Sequence, residues 1–245
     1  MSNNEAFRAK MKARFERLAT SYTPQIPQAM IDGWFQIVES MYDASIRKYH
    51  DMTHISRLYD LWESDTLFKR MMMPPDEIRL VELGIWFHDV VYVPADPDNE
   101  SVSADLACSF LTAMGSFQRD QKVIREAIMA TKYNRDEKPS RSQALEQWSA
   151  RRGEEGLVES TIAILSDLDL AGLALPEDEF LSDVANIRQE FSRFTDEQYC
   201  WGRVKFMAAL LKHPIYLRAK HLEAKARENL EKHLVDLIQG LSQHP

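Results

Sequence analysis

Three short stretches of this chain carry side chains that could do chemistry together. In ELGIWFHDVVY (Glu82–Tyr92) an apolar helical pattern ends with His88 and Asp89 side by side. An imidazole and a carboxylate drawn into apolar surroundings are costly unless something satisfies them, and a divalent metal ion would do so. Taken alone, the pair reads as a helix-end His–Asp hydrogen bond. In YHDMTHI (Tyr49–Ile55), His50 and His54 stand four apart, which on a helix places them on one face. Surface or capping histidines are the alternative there. In LSDLDLAGL (Leu165–Leu173), Asp167 and Asp169 interrupt an apolar run. Acids in such a run are expensive unless paired or bound to a cation; helix-end caps are the other reading. In chain order these segments offer histidine, histidine, His-Asp and aspartate. Two imidazoles with two carboxylates suit a borderline divalent ion such as Mn²⁺, Fe²⁺, Co²⁺, Ni²⁺ or Zn²⁺, with Mg²⁺ a further option. Water would fill the remaining positions and be activated for attack.

Such residues need rigid elements to hold them, and the apolar spacing is helical almost everywhere. Phe7, Met11, Phe15 and Leu18 recur at three- and four-residue steps, and so do Ile31, Trp34, Phe35, Val38 and Met41. A third helix is predicted from about His54 through Leu58, Leu61 and Trp62 to Phe68. Pro74 and Pro75 restart a helix with Asp76 and Glu77 in its first turn, where acids suit the dipole. That helix runs to His88. PADPDNE (Pro94–Glu100) reads as a loop. Helices are predicted at about 100–115, 119–132, 157–166, 177–192, 196–212 and 217–239. The polar stretch from Tyr133 to Gly156 reads as a long exposed connection, with one short helix around Trp148. No segment alternates with period two. The predicted architecture is one all-α domain over residues 1–245, with a core at about 30–175 and C-terminal helices at about 176–240 packed on it.

Bulk properties narrow the function classes. The chain has 245 residues, 44% of them hydrophobic and 28% charged, as expected of a soluble globular protein. A net charge of −8 argues against an extended nucleic-acid surface while leaving room for a small basic pocket. Cys108 and Cys200 lie far apart with no CxxC spacing, which fits a reducing cytoplasm. The charged N-terminal stretch is unlike a secretory signal, and no apolar run is long enough to span a membrane. A homodimer is left open.

The ordered set resembles the HD superfamily of metal-dependent phosphohydrolases, whose signature is H…HD…D on an all-α fold. The resemblance implies an HD-domain helical bundle with added C-terminal helices. It also implies His54, His88, Asp89 and Asp169 as metal ligands. Asp169 is chosen over Asp167 because the family's last ligand is commonly the second acid of a D-x-D pair. His54 is chosen over His50 because YH-x3-H also occurs in the cyclic-nucleotide phosphodiesterase branch, where the first histidine donates a proton to the leaving oxygen. By that analogy His50 is the general acid, and Asp89 joins it as a catalytic residue. YHDMTHI, ELGIWFHDVVY, DNESVSA, ATK, DLDLAGL and HPIYLR…EAKARENL are similar to a bacterial group of predicted HD phosphohydrolases, over about residues 30 to 235. No histidine lies between His88 and His213. Dinuclear HD branches place extra histidine ligands there, so the resemblance favours one metal, or a second one held only by a bridging aspartate and waters.

Glu82 is either an acid orienting a metal ligand or a helix-surface charge. Glu100 either orients water near the metal or sits in its first turn for dipole reasons. Lys132 either binds phosphate or closes a helix C-terminus. Arg203 and Arg227 are the other candidate substrate-binding cations, both in or near family-like segments. His213 reads as structural, the cysteines as buried small apolar residues, and Met71–Met73 as core filling. The function implied is hydrolysis of a small phosphorylated metabolite, a nucleotide first among them. An HD-type oxygenase and a non-catalytic nucleotide-sensing domain are the rivals.

Overall fold

The computed structural model describes residues 3–64, 67–116, 118–133 and 153–242. Every regular element among them is helical, and no strand occurs. The α-helices are α1 (Asn3–Tyr22), α2 (Gln28–Tyr42), α3 (Met52–Glu63), α4 (Pro75–Phe87), α5 (Asn99–Ala113), α6 (Gln118–Met129), α7 (Glu154–Asp169), α8 (Glu177–Glu190), α9 (Asp196–Leu211) and α10 (Glu223–Ser242). Short 3-10 turns occupy Arg70–Met72, Leu170–Ala174 and Lys220–Leu222. The expected all-α fold is observed. No helix among the described residues is long and apolar enough to cross a membrane.

The apolar stripes read from the sequence form the core. Met11, Phe15 and Leu18 of α1 meet Ile31, Phe35 and Val38 of α2 in one buried cluster that extends as far as Leu230 of α10. Phe15 stands edge-on to Trp86 at a centroid distance of 5.2 Å and to Phe110 at 5.6 Å, geometries that suit the quadrupoles of aromatic rings. Helices α4 and α7 approach closely because α4 has Gly84 at the crossing. A Cβ there would lie 2.8 Å from the Leu165 side chain. This crossing sets the C-terminal end of α4, with His88 and Asp89, beside the C-terminal end of α7, with Asp169.

Four expectations need correcting. The third helix stops at Glu63 rather than Phe68, and Phe68 reaches the core from the loop that follows. Met71 and Met72 are 81% and 79% exposed, so only Met73 of that triplet packs on the core. Cys108 and Cys200 are half-exposed, not buried. The last helix does not begin at 217. The backbone N–H groups of Leu217, Arg218 and Ala219 are taken by the Asp167 carboxylate at 2.7, 2.7 and 2.8 Å. Those residues precede the 3-10 turn at Lys220–Leu222, and α10 starts at Glu223. The connection expected over 133–156, with a helix near Trp148, falls outside the described residues for 134–152; beyond them α7 already begins at Glu154.

Helix α1 is held to α3 by a part-buried ion cluster. Arg14, 4% exposed, donates to Asp60 at 2.6 Å and to Glu63, while its guanidinium lies 5.1 Å from the Tyr59 ring centroid. Burial works against ionisation of Asp60 and Glu63, but Lys10 and then Arg14 at Asp60, and Arg14 and then Arg17 at Glu63, outweigh it and hold both carboxyls below their usual range. Arg14→Met is expected to cost about 1–2 kcal/mol in urea unfolding at pH 7, below the figure for a fully buried pair because both acids reach solvent. Carboxyls with a lowered folded pKa stabilise fully above their unfolded values, and that contribution fades as pH falls through the folded ones. The gap between wild type and Arg14→Met should therefore be constant from pH 5 to 7 and close below about pH 4.

Candidate metal centre

His54, His88, Asp89 and Asp169 converge. Each offers one ligand atom, and these atoms all lie within 4.8 Å of one another. His88 Nε2 is 3.3 Å from Asp89 Oδ2 and 3.6 Å from Asp169 Oδ1, and His54 Nε2 is 3.9 Å from Asp169 Oδ1. The two imidazoles are 0% and 2% exposed, and neither Nε2 has a hydrogen-bond partner. Two buried, unpartnered nitrogens facing two carboxylates are what a bound cation would satisfy. The donor set fits: four protein ligands, mixed nitrogen and oxygen, and room for water. The group could hold a metal ion.

Each ligand is placed by local structure. His54 sits in the first turn of α3 because Asp51 caps that helix, accepting from Thr53 N at 2.7 Å and His54 N at 3.1 Å. His88 is the residue at which α4 ends; its backbone N–H still reaches Gly84 O, and its Nδ1 donates to Ile85 O at 3.2 Å. That bond leaves Nε2 with the lone pair, the arrangement metal-ligating histidines use. Asp169 closes α7, where a negative charge opposes the helix dipole. Its Oδ2 accepts from Tyr133 OH at 2.8 Å. Asp167, two residues earlier, is fully buried and faces the other way, onto the turn before α10.

The electrostatics follow from burial and crowding. Burial, with the nearby His88 adding to it, pushes the His54 imidazolium down to about 3. Burial also disfavours the charged forms of His88 and Asp89, but their mutual attraction wins: His88 lies well above its usual value and Asp89 well below. Asp169 is likewise held low, chiefly by His88 against burial.

His50 corrects the helix-face argument. It lies in the bend before α3, not on the helix, and a distant acid puts it in place. Glu190, at the end of α8 and 0% exposed, accepts the backbone N–H groups of Lys48, Tyr49 and His50 at 2.8–2.9 Å through Oε1. Its Oε2 takes His50 Nδ1 at 2.6 Å and Tyr92 OH at 2.9 Å. His50 Nε2 is thereby aimed at the cluster, 4.0 Å from Asp89 Oδ2. Burial lowers the His50 imidazolium, but the Glu190 bond overcomes it and the net shift is upward. Glu190 itself drops to about 2, burial again being overruled by His50. Arg47, 6% exposed, joins the same pieces by donating to the carbonyls of His50, Asp89 and Val90 at 2.7–2.8 Å. Sequence reasoning missed Arg47, Tyr92, Tyr133 and Glu190. The first three lie within or just beyond the quoted motifs. Glu190 lies 140 residues from its partner with no local signal.

A cavity of about 710 Å³ opens beside the cluster, with Asp89, Asp169 and His50 in its wall. Lys132 and Arg203 also line it, as the sequence reading expected of phosphate-binding cations. Lys132 Nζ is held by Pro97 O at 2.6 Å. Arg227 is not brought there. It bonds Glu223 at 2.7 Å and the carbonyls of Leu211 and His213 at 3.0 and 2.6 Å, tying α10 to the end of α9. Glu100 lines the cavity, its Oε2 buried without a partner and its carboxyl pushed up by burial and then by Asp89. Glu82 is neither of the alternatives: it is buried and accepts from Trp62 and Arg70 at 3.3 and 2.8 Å. His213 is exposed, with its carbonyl used by Arg227.

No known family model matches the chain, and no curated protein matches it either.

Proposed function

We propose that this protein is a metal-dependent phosphohydrolase of the HD superfamily acting on a small phosphorylated metabolite, with nucleotides the first class to test. The observation that carries the reading is the pair of buried, unpartnered His54 and His88 Nε2 atoms within 4.8 Å of the Asp89 and Asp169 carboxylates. The cavity beside them holds two cations and a carboxylate-oriented histidine. A divalent ion held there would polarise a phosphoryl oxygen and acidify water; Mn²⁺, Fe²⁺, Co²⁺, Ni²⁺, Zn²⁺ and Mg²⁺ are the candidates.

The chain's own groups supply the rest. Lys132 and Arg203 offset phosphate charge from the cavity wall. Glu100 Oε2 accepts a hydrogen bond from the attacking water. His50, fixed through Nδ1 by Glu190, presents Nε2 to the leaving oxygen and gives it a proton. In this reading the protein works in the cytoplasm, without a membrane or nucleic-acid partner.

The test is a phosphate-release screen on metal-stripped protein. Each metal is added back separately with nucleoside mono-, di- and triphosphates, cyclic nucleotides and sugar phosphates. Pyrophosphatase reveals diphosphate release, and folded Asp89→Ala serves as control. Turnover that needs metal and disappears in the variant is the expected result. Stoichiometric metal binding with no turnover of any of these would sink the phosphohydrolase reading.

A further inference from the structure

The cavity extends past the metal cluster, and one face of α9 forms part of its wall. Tyr199, Gly202, Arg203 and Phe206 line it at steps of three, one and three, a single helical stripe. Phe191 and Phe194 close the same end from the turn before α9. Glycine weakens a helix interior, so its presence in the middle of α9 asks for a reason. The reason at Gly84 is a close crossing; at Gly202 a Cβ would meet nothing within 4 Å. Weakness alone does not single this glycine out, since Gly33 is equally free of neighbours on the exposed side of α2. Its place does, because the missing side chain is missing from the cavity wall. Beside it, the Tyr199 hydroxyl is buried with no hydrogen-bond partner, in a residue 6% exposed.

We infer that Gly202 sets the size of the group admitted beyond the reacting phosphate, and that this stripe of α9 receives a planar ring there. This rests on the phosphohydrolase reading for the orientation of the ligand. Aromatic walls favour a flat partner by stacking, Arg203 adds a cationic face, and the Tyr199 hydroxyl can bond a ring heteroatom or carbonyl. A substrate without a ring would leave that end of the cavity unfilled. A Cβ at position 202 meets nothing within 4 Å, so Gly202→Ala displaces no neighbour, and thermal unfolding checks that Gly202→Leu keeps the fold.

The experiment is equilibrium binding to Mn²⁺-loaded protein, wild type against Gly202→Ala and Gly202→Leu. The probes are AMP, GMP, CMP, UMP and inorganic phosphate, with thermal unfolding as the check on folding. At least one nucleoside monophosphate is expected to bind wild type more tightly than phosphate does. Gly202→Leu is expected to weaken it by about tenfold or more through steric exclusion and to leave phosphate affinity within about twofold, with Gly202→Ala in between. Equal nucleotide binding in wild type and Gly202→Leu, parallel loss of phosphate binding, or no preference for any nucleotide over phosphate would each overturn the inference. Turnover of the same monophosphates by wild type is scored separately. Its absence would count against the phosphohydrolase reading and leave the binding comparison to decide the role of Gly202.

Discussion

Asp89→Ala and Asp169→Ala should each lower metal-dependent turnover by about 10³-fold or more while the protein remains folded. Removing either takes one of four ligand atoms and leaves the two buried imidazoles with a single anionic co-ligand, so metal affinity should fall steeply. Metal content by mass spectrometry reads this independently of activity. Asp167→Ala, two residues from Asp169, should behave in the opposite way. Its carboxylate is fully buried and satisfies three backbone N–H groups, those of Leu217, Arg218 and Ala219. Losing it strands donors that have no route to water, at about 3–5 kcal/mol in total. For a chain of this size that is a fall in melting temperature of about 10 °C. Near its own lower optimum temperature the variant should still bind metal. If Asp167→Ala loses metal at full stability, or Asp169→Ala unfolds with metal binding intact, the two roles have been assigned the wrong way round.

The second large effect concerns His50 and Glu190. A histidine that protonates the leaving oxygen matters in proportion to how poor that leaving group is. His50→Gln is expected to lower kcat by about 10²–10³-fold on alkyl phosphates such as sugar phosphates. On p-nitrophenyl phosphate, whose phenolate leaves without help, the loss should stay within about tenfold. Glu190→Gln should show the same leaving-group pattern with smaller amplitude. Its amide oxygen can still accept the N–H groups of Lys48, Tyr49 and His50, but it no longer holds the Nδ1 proton by charge. A purely structural Glu190 would reduce both substrate types alike, and that result would remove His50 from the chemistry. Thermal unfolding of Glu190→Gln separates a local effect from loss of the fold.

How much of this was legible beforehand depends on how local each feature is. The all-α class was readable because apolar residues at three- and four-residue steps report a helix face directly. The His-Asp pair and the D-x-D acids stood out because polar groups in apolar runs carry a desolvation cost that shows in the pattern itself; His54 was singled out from His50 by the YH-x3-H resemblance. The helix expected from 217 begins at Glu223 instead, and the backbone at its expected start bonds an acid 50 residues away, which apolar spacing does not reveal. Arg227 failed for a related reason. A cation in a plausible segment gives no sign of its target, and here the target was two carbonyls and a glutamate at the junction of α9 and α10.

The D-x-D pair marks the boundary between the two kinds of information. The sequence alone determined that this is a helical protein with two acids held expensively near the end of one helix. It also determined that histidines elsewhere could share a cation with one of them. The D-x-D resemblance named Asp169, but the physical reason for that choice came only with the tertiary structure. Asp167 and Asp169 differ by two positions, about 200° around a helix, so they face different neighbours. Asp167 meets the turn before α10, and Asp169 meets His54 and His88. The partner of His50 was likewise beyond any local reading. Glu190 comes from a helix 140 residues downstream, and only the packing of α8 beside the bend at Lys48–His50 makes the two neighbours. Contacts of that kind depend on where whole helices sit, and a helix's position is set by its entire buried face, not by the residues that do the chemistry.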